Sequence, residues 1–227
     1  MKTPVTLGVS GLAAKDLRVR PESDIKAIII HTSGNGIWRS RIGKNFKFKS
    51  WGGGEIERSD ATGALLDVYV NRYSCYGHYL VAKDEIIQLA SHARVTQHVG
   101  GHKRKGPPRE SLLMFPAGKA KDVFPGIWSE GSINNVSIGV ELMPDAMITN
   151  PLPESTVQSV KRLCEYLVSV TSPDVVITTH RCIHPAARTA DKGHGYDLTD
   201  THVTQVAKAL SDIGGNKIFY NSKGVYL

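Results

Sequence analysis

Residues 27–31, Ala-Ile-Ile-Ile-His, set four apolar side chains in a row and end on a histidine. An apolar run with no polar alternation fits a strand covered on both faces. Residues 175–180, Val-Val-Ile-Thr-Thr-His, have the same form and the same ending. Strand ends are where a sheet presents side chains to a cleft. The two runs therefore ask for a covered sheet with a histidine at two of its strand ends.

The other segments supply the cover and the rest of the sheet. Residues 136–142, Val-Ser-Ile-Gly-Val-Glu-Leu, alternate, with Ile138, Val140 and Leu142 on one face and Gly139 and Glu141 on the other. Residues 78–81 and 85–90 flank a tight Ala-Lys-Asp link and read as a hairpin. A helix is expected within 58–72, from Ala64, Leu65, Val68 and Val70. Pro153 can open another, with Ser155 and Gln158 resembling a capping box and Val157, Val160, Cys164 and Leu167 at helical spacing. Residues 200–213 give a last helix, with Val203, Val206, Leu210 and Ile213 inward and Gly214 as its stop. Residues 215–227 read as a small strand or a tail. Strands and helices do not alternate strictly, so the expected fold is mixed α/β, one mixed sheet flanked by helices. The domain is expected over residues 1–213, with 214–227 as a C-terminal tail.

At 227 residues the chain can bury a core without staples. Three cysteines, Cys75, Cys164 and Cys182, are too few and too odd in number for a disulfide framework. No stretch approaches the length of a membrane span, and the N-terminus has no apolar core of signal-peptide length. Synthesis in the cytoplasm, followed by non-classical release or delivery, is the expectation. The formal charge of +7 is concentrated locally. Residues 39–49 carry Arg39, Arg41, Lys44, Lys47 and Lys49 without an acid, and 103–109 carry Lys103, Arg104, Lys105 and Arg109. Both read as loops, either a solvated surface or a surface for a polyanion.

The chemistry gathers at the strand ends. Eleven residues after His180 comes Asp191, in an irregular segment. Two histidines and a carboxylate, with a fourth position left for water, form a catalytic zinc set, so His31, His180 and Asp191 are the candidate metal ligands. Glu141, a carboxylate on the polar face of its strand, is the candidate general base.

Several motifs occur together in order. They are Ile-Ile-Ile-His-Thr-Ser (28–33), Gly-His-Tyr-Leu-Val (77–81), His-Val-Gly (98–100), Asn-Asn-Val-Ser-Ile-Gly-Val-Glu-Leu (134–142) and Thr-His-Arg (179–181), followed by Pro185, Arg188 and Asp191. The set resembles the type-2 N-acetylmuramoyl-L-alanine amidases, a family that includes phage amidases and peptidoglycan recognition proteins. The resemblance runs from about 25 to about 212, with loop insertions at about 34–57 and 102–131. It implies a zinc enzyme that hydrolyses the amide between the lactyl group of N-acetylmuramic acid and L-alanine, in peptidoglycan or muropeptides. It matches His31, His180 and Asp191 to the ligands and Glu141 to the catalytic glutamate. The family's tyrosine or histidine after the first helix falls on His78, and its Trp-His-Ala-Gly motif falls on Gln97 to Gly100. His78 and His98 are thus expected at the substrate.

The sequence departs from the pattern at 185–193, Pro-Ala-Ala-Arg-Thr-Ala-Asp-Lys-Gly, one residue longer before the aspartate. The family's lysine has no clear match there. Arg188 is the substitute, as a source of charge stabilisation only, because an arginine stays protonated; His184, when charged, is a second source. Cys182 is a fallback third ligand. Trp38, Phe46, Phe48 and Trp51 are interleaved with the charges of 39–49. Trp38 and Trp51 are expected to stack on sugar, and the basic groups to hold stem-peptide carboxylates or an anionic wall polymer. Against the enzyme stand a recognition module that binds peptidoglycan without cutting it, a nucleic-acid-binding domain, and a Cys-His hydrolase using Cys75 or Cys182. Nucleic acid would leave the strand-end histidines and Glu141 unexplained.

Overall fold

The computed structural model describes residues 18–32, 36–49, 53–72, 77–99, 133–143, 151–183, 198–220 and 226–227. Strand β1 is Ala27–Thr32, and every residue in it is buried. It lies between β6, Ser137–Leu142, and β7, Val176–Thr179, and runs parallel to both. Hairpin strands β4, Tyr79–Ala82, and β5, Glu85–Gln88, extend the sheet on one side, and the two-residue β8, Asn216–Lys217, closes the other. The order is β5-β4-β6-β1-β7-β8, parallel except for the hairpin. The hairpin turns through Lys83, a non-glycine residue at φ 58°, which is uncommon. The fold is the mixed, helix-flanked sheet that the apolar runs require.

Strand parity decides what each face receives. Ile28 and Ile30 of β1, Ile138, Val140 and Leu142 of β6, and Tyr79 and Val81 of β4 share one core cluster. Against them pack Val157, Val160, Leu163, Cys164 and Leu167 of helix α2, Glu154–Val170. Helix α4, Asp200–Ala209, adds Val203 and Val206 to the same core, followed by Leu210 and Ile213. Between β7 and α4 lies a single helical turn, α3, His180–Ile183. On the opposite face, Leu80, Ala82 and Ile87 meet Ala64, Leu65 and Leu66 of helix α1, Ala61–Asp67. The even positions of β1 and β6 thus serve the helical layer. Their odd positions, which include His31 and Glu141, are turned to the other side.

Local chemistry shifts several expected boundaries. Helix α1 starts where the Asp60 side chain accepts from the Gly63 N–H, and it gives way to a π-helical turn at Val68–Arg72. The Ser155–Gln158 capping box does not form. Pro153 is the N-cap without a side-chain bond, and Gln158 instead donates to Glu154 Oε1 at 2.6 Å. The capping box that does form is at α4, between Thr199 and His202. Helix α4 ends before its expected limit of 213, and the left-handed residue after it is Gly215, at φ 87°, not Gly214. The stretch after Gly214 supplies β8 and the buried Phe219, so its first half is built into the sheet and core.

The basic segment 39–49 is not a loop. Gly36–Arg41 is a 3-10 turn, and Phe46–Lys49 is β2, paired antiparallel with β3, Glu55–Arg58. Phe-Lys-Phe-Lys has the two-residue period of a strand, which its charges mask. Phe46 and Phe48 point into the core beside Trp38, while Lys47 and Lys49 point out. Several of the cations here are engaged. Arg41 pairs with Asp67 of α1 and stacks over Phe46 at 5.1 Å, and Lys47 pairs with Glu55 at 2.9 Å. The second basic segment, 103–109, lies outside the described residues. Among the described residues no helix is long and apolar enough to cross a membrane.

Candidate active site

β1 and β6 pair in parallel with His31 opposite Glu141, so the two side chains stand side by side on the face away from α2. His31 Nδ1 lies 3.0 Å from Glu141 Oε1. His180 follows β7, whose Thr179 pairs with Ile30. Its ring meets His31 edge-on, with centroids 5.3 Å apart and planes at 85°. The β1–β6 register thus sets His31 beside Glu141, and the turn that follows β7 brings His180 to His31. All three are almost wholly buried, at 3%, 2% and 1% exposure for His31, Glu141 and His180.

Glycine makes room for this group at two points. A Cβ on Gly77 would fall 2.8 Å from Glu141 Cγ, so the Glu141 side chain lies against bare backbone there. A Cβ on Gly139 would fall 2.3 Å from His98 Cγ, so the His98 ring occupies the space over β6 that a side chain would fill. His98 stacks on His31 with centroids 5.3 Å apart and planes at 37°.

The tautomers of the two inner histidines follow from their neighbours. Ser137 donates to the Ile133 carbonyl at 2.6 Å, so its oxygen accepts from His98 Nε2–H at 3.0 Å. His98 Nδ1 is then the unprotonated nitrogen, buried and without a hydrogen-bond partner among the described residues. His78 Nδ1 accepts from the Gly139 N–H at 3.0 Å and from Thr96 Oγ1 at 3.1 Å, and its Nε2–H donates to the Arg94 carbonyl at 2.8 Å. Burial pushes both histidines well below the usual imidazole range, with the Arg20 cation adding for His78 and neighbouring His31 for His98. Both are neutral at neutral pH.

These positions change two expected roles. His78 is fully enclosed and spends both ring nitrogens on protein groups, so it braces β4 against β6 and is not a substrate contact. Trp38 is 1% exposed among Phe46, Phe48 and Leu65, so its ring is core and gives no platform for a sugar. Cys182 does not turn toward the histidines. Its sulfur meets Thr179 Oγ1 at 3.1 Å and the Tyr220 N–H at 3.3 Å, among core residues of the α2 face. It is no ligand alternative. Asp191, Arg188, His184, Trp51 and Cys75 lie outside the described residues, as does the insertion at 102–131.

Several supporting residues have roles that the sequence alone does not signal. Arg20 is buried, and its guanidinium donates to the carbonyls of His92 at 3.1 Å and Asn134 at 3.0 Å and lies 3.3 Å from His78 Nε2. Burial lowers its pKa to about 10. Nothing in its sequence setting marks it. Asn134 exchanges two hydrogen bonds with the backbone of Val99, at 2.9 and 3.2 Å, and so fixes the irregular segment that carries His98. Tyr69, in the π turn, reaches Glu141 Oε2 at 3.5 Å. Arg181 donates to the Leu198 carbonyl at 2.7 Å and pairs with Asp200 at 2.8 Å, joining α3 to α4.

Among the described residues, no group of three His, Cys, Asp or Glu is arranged to hold a metal. His31 and His180, in edge contact with ring centroids 5.3 Å apart, are two donors of the type zinc takes.

Residues 21–194 match the Amidase_2 family, described as N-acetylmuramoyl-L-alanine amidase. No curated protein and no solved structure gives a significant match to the chain. The match spans β1 to the segment beyond His180 and contains every residue that the sheet brings to the site. The chain belongs to the N-acetylmuramoyl-L-alanine amidase family.

Proposed function

We propose that this protein is a zinc-dependent amidase that cuts the bond between the lactyl group of N-acetylmuramic acid and L-alanine, in peptidoglycan or in muropeptides released from it. The observation that carries the reading is the convergence of His31, His180 and Glu141 on one face of the sheet, within a chain of this family. Members of the family are typically zinc-dependent. His31 and His180 would hold the metal with Asp191 as the third ligand, and zinc so held supplies a Lewis acid and a water acidic enough to deprotonate near neutral pH.

The chain's own residues do the rest. Glu141 is the only one of the three convergent groups that is a carboxylate, and it acts as the base that takes the proton of the attacking water. It then returns that proton to the alanine nitrogen, so the amine leaves neutral. Its burial keeps bulk water from competing for the carboxylate and strengthens every charge interaction there. His98 and His78 are held neutral, so neither adds positive charge that would repel a metal cation. Arg188 is assigned to the developing oxyanion, as a fixed positive charge.

The test combines metal analysis with hydrolysis. Wild type and Glu141→Ala are assayed for bound zinc and for release of L-alanine-terminated peptides from purified peptidoglycan, with and without chelator. The proposal expects about one zinc per chain in both proteins, and activity only in wild type without chelator. Zinc-free protein that binds wall and cuts nothing would show a recognition module. Zinc-free protein with no affinity for wall would sink the reading.

A further inference from the structure

A buried carboxylate that must accept a proton in one direction and release it in another needs its two oxygens held apart in function. Glu141 is enclosed on three sides. The bare backbone of Gly77 lies behind its Cγ, leaving no space for a Cβ. His31 Nδ1 lies 3.0 Å from Oε1. On the remaining oxygen, Oε2, stands the hydroxyl of Tyr69 at 3.5 Å. Tyr69 is 5% exposed and its ring packs in the cluster with Leu65, Leu66 and Leu80, so the phenol reaches the carboxylate from a fixed base.

We propose that Tyr69 is a positioning residue for Glu141: its phenol donates to Oε2 and fixes the plane in which the carboxylate meets the substrate side of the site. This rests on the amidase reading above. A phenol is the suitable group for the task. It donates one hydrogen bond and stays neutral, so it orients a carboxylate without neutralising it as an arginine or lysine would. At 3.5 Å the contact is longer than the roughly 2.5–3.0 Å usual for O–H···O, as hydrogen bonds at catalytic groups often are before substrate binds. The π-helical turn that carries Tyr69 is a local departure from α geometry of a kind that recurs at functional sites.

The experiment compares the zinc-loaded full chain with Tyr69→Phe, which keeps the ring and removes the hydroxyl. Steady-state hydrolysis of a defined muropeptide is measured, and both proteins are crystallised. The expected result is a fall in kcat of about 10–100-fold, the range found when a hydrogen-bonded support of a site residue is removed, with KM and zinc content unchanged. In the variant crystal the Glu141 carboxylate is expected to be rotated from its wild-type plane. Equal kcat in the two proteins, or superposable carboxylates, overturns the proposal. Should wild type bind zinc and cut nothing, the amidase reading fails separately, and the two carboxylate positions still decide the role of Tyr69.

Discussion

Acid should unfold this protein earlier than its carboxylates alone would require. His78 and His98 are enclosed in the native state and held neutral by burial, with pKa values well below the 6.5 of an exposed imidazole. The unfolded chain has no such restraint, so below that value it takes up protons that the native protein does not. Stability is therefore complete above pH 6.5 and falls as the pH drops through and below it. One pH unit below the unfolded value, a histidine that stays neutral in the native state removes on the order of 1 kcal/mol, and two such histidines remove correspondingly more. His92, shifted down chiefly by burial, adds in the same direction. Most carboxylates titrate below this window and stay charged through it. The assay is urea unfolding at about pH 7.5 and about pH 5.5, on chelator-treated protein so that loss of metal does not contribute. His78→Asn keeps an acceptor for the Gly139 N–H but cannot take up a proton. Its overall stability should be lower, and its acid loss should be smaller than that of wild type by on the order of 1 kcal/mol. An acid loss equal to that of wild type would refute the claim that His78 is locked neutral.

Three further outcomes follow from single contacts. Trp38→Ala should cost about 3–5 kcal/mol in urea unfolding, the scale of emptying a core site of this size, while Trp38→Phe should leave KM for peptidoglycan unchanged because the ring is buried. Gly139→Ala sets a methyl where the His98 ring lies, 2.3 Å from its Cγ, and should destabilise by about 1–3 kcal/mol as either the ring or β6 is displaced; wild-type stability in the same measurement would mean His98 is not packed there. Cys182→Ser should retain zinc in metal analysis of the dialysed protein, because the sulfur is bonded to Thr179 and Tyr220 on the side away from the histidines; loss of zinc would return Cys182 to the ligand set.

Much of the site was legible because strand period is a strict code. In an alternating strand, one register sends every second side chain to one face. Residues 136–142 therefore put Glu141 opposite the apolar side. The same code was hidden at 46–49, where lysines at the outward positions looked like a basic loop while the two phenylalanines were inward. Charge composition misled there, and alternation was the better guide. The capping box at Ser155–Gln158 had the right residues but lost to a proline N-cap, since Pro153 already sets the helix entry and Gln158 found Glu154 instead. Arg20 and Tyr69 left no signal at all: each acts through partners that are remote in the chain.

By itself the sequence determined the covered mixed sheet, the two strand-end histidines, the face of Glu141 and the family. These are local properties, set by runs of a few residues and by their order. Only the tertiary structure decided which polar groups meet. The pairing of β1 with β6 brought His31 to Glu141, the absence of a Cβ at Gly77 and Gly139 allowed two side chains to lie against bare backbone, and the folding-back of 36–49 took Trp38 from the surface into the core. Those outcomes depend on distances between segments far apart in the chain. Burial then turned His78 from a candidate contact into a brace, because an imidazole with both nitrogens bonded to protein has nothing left to offer a substrate.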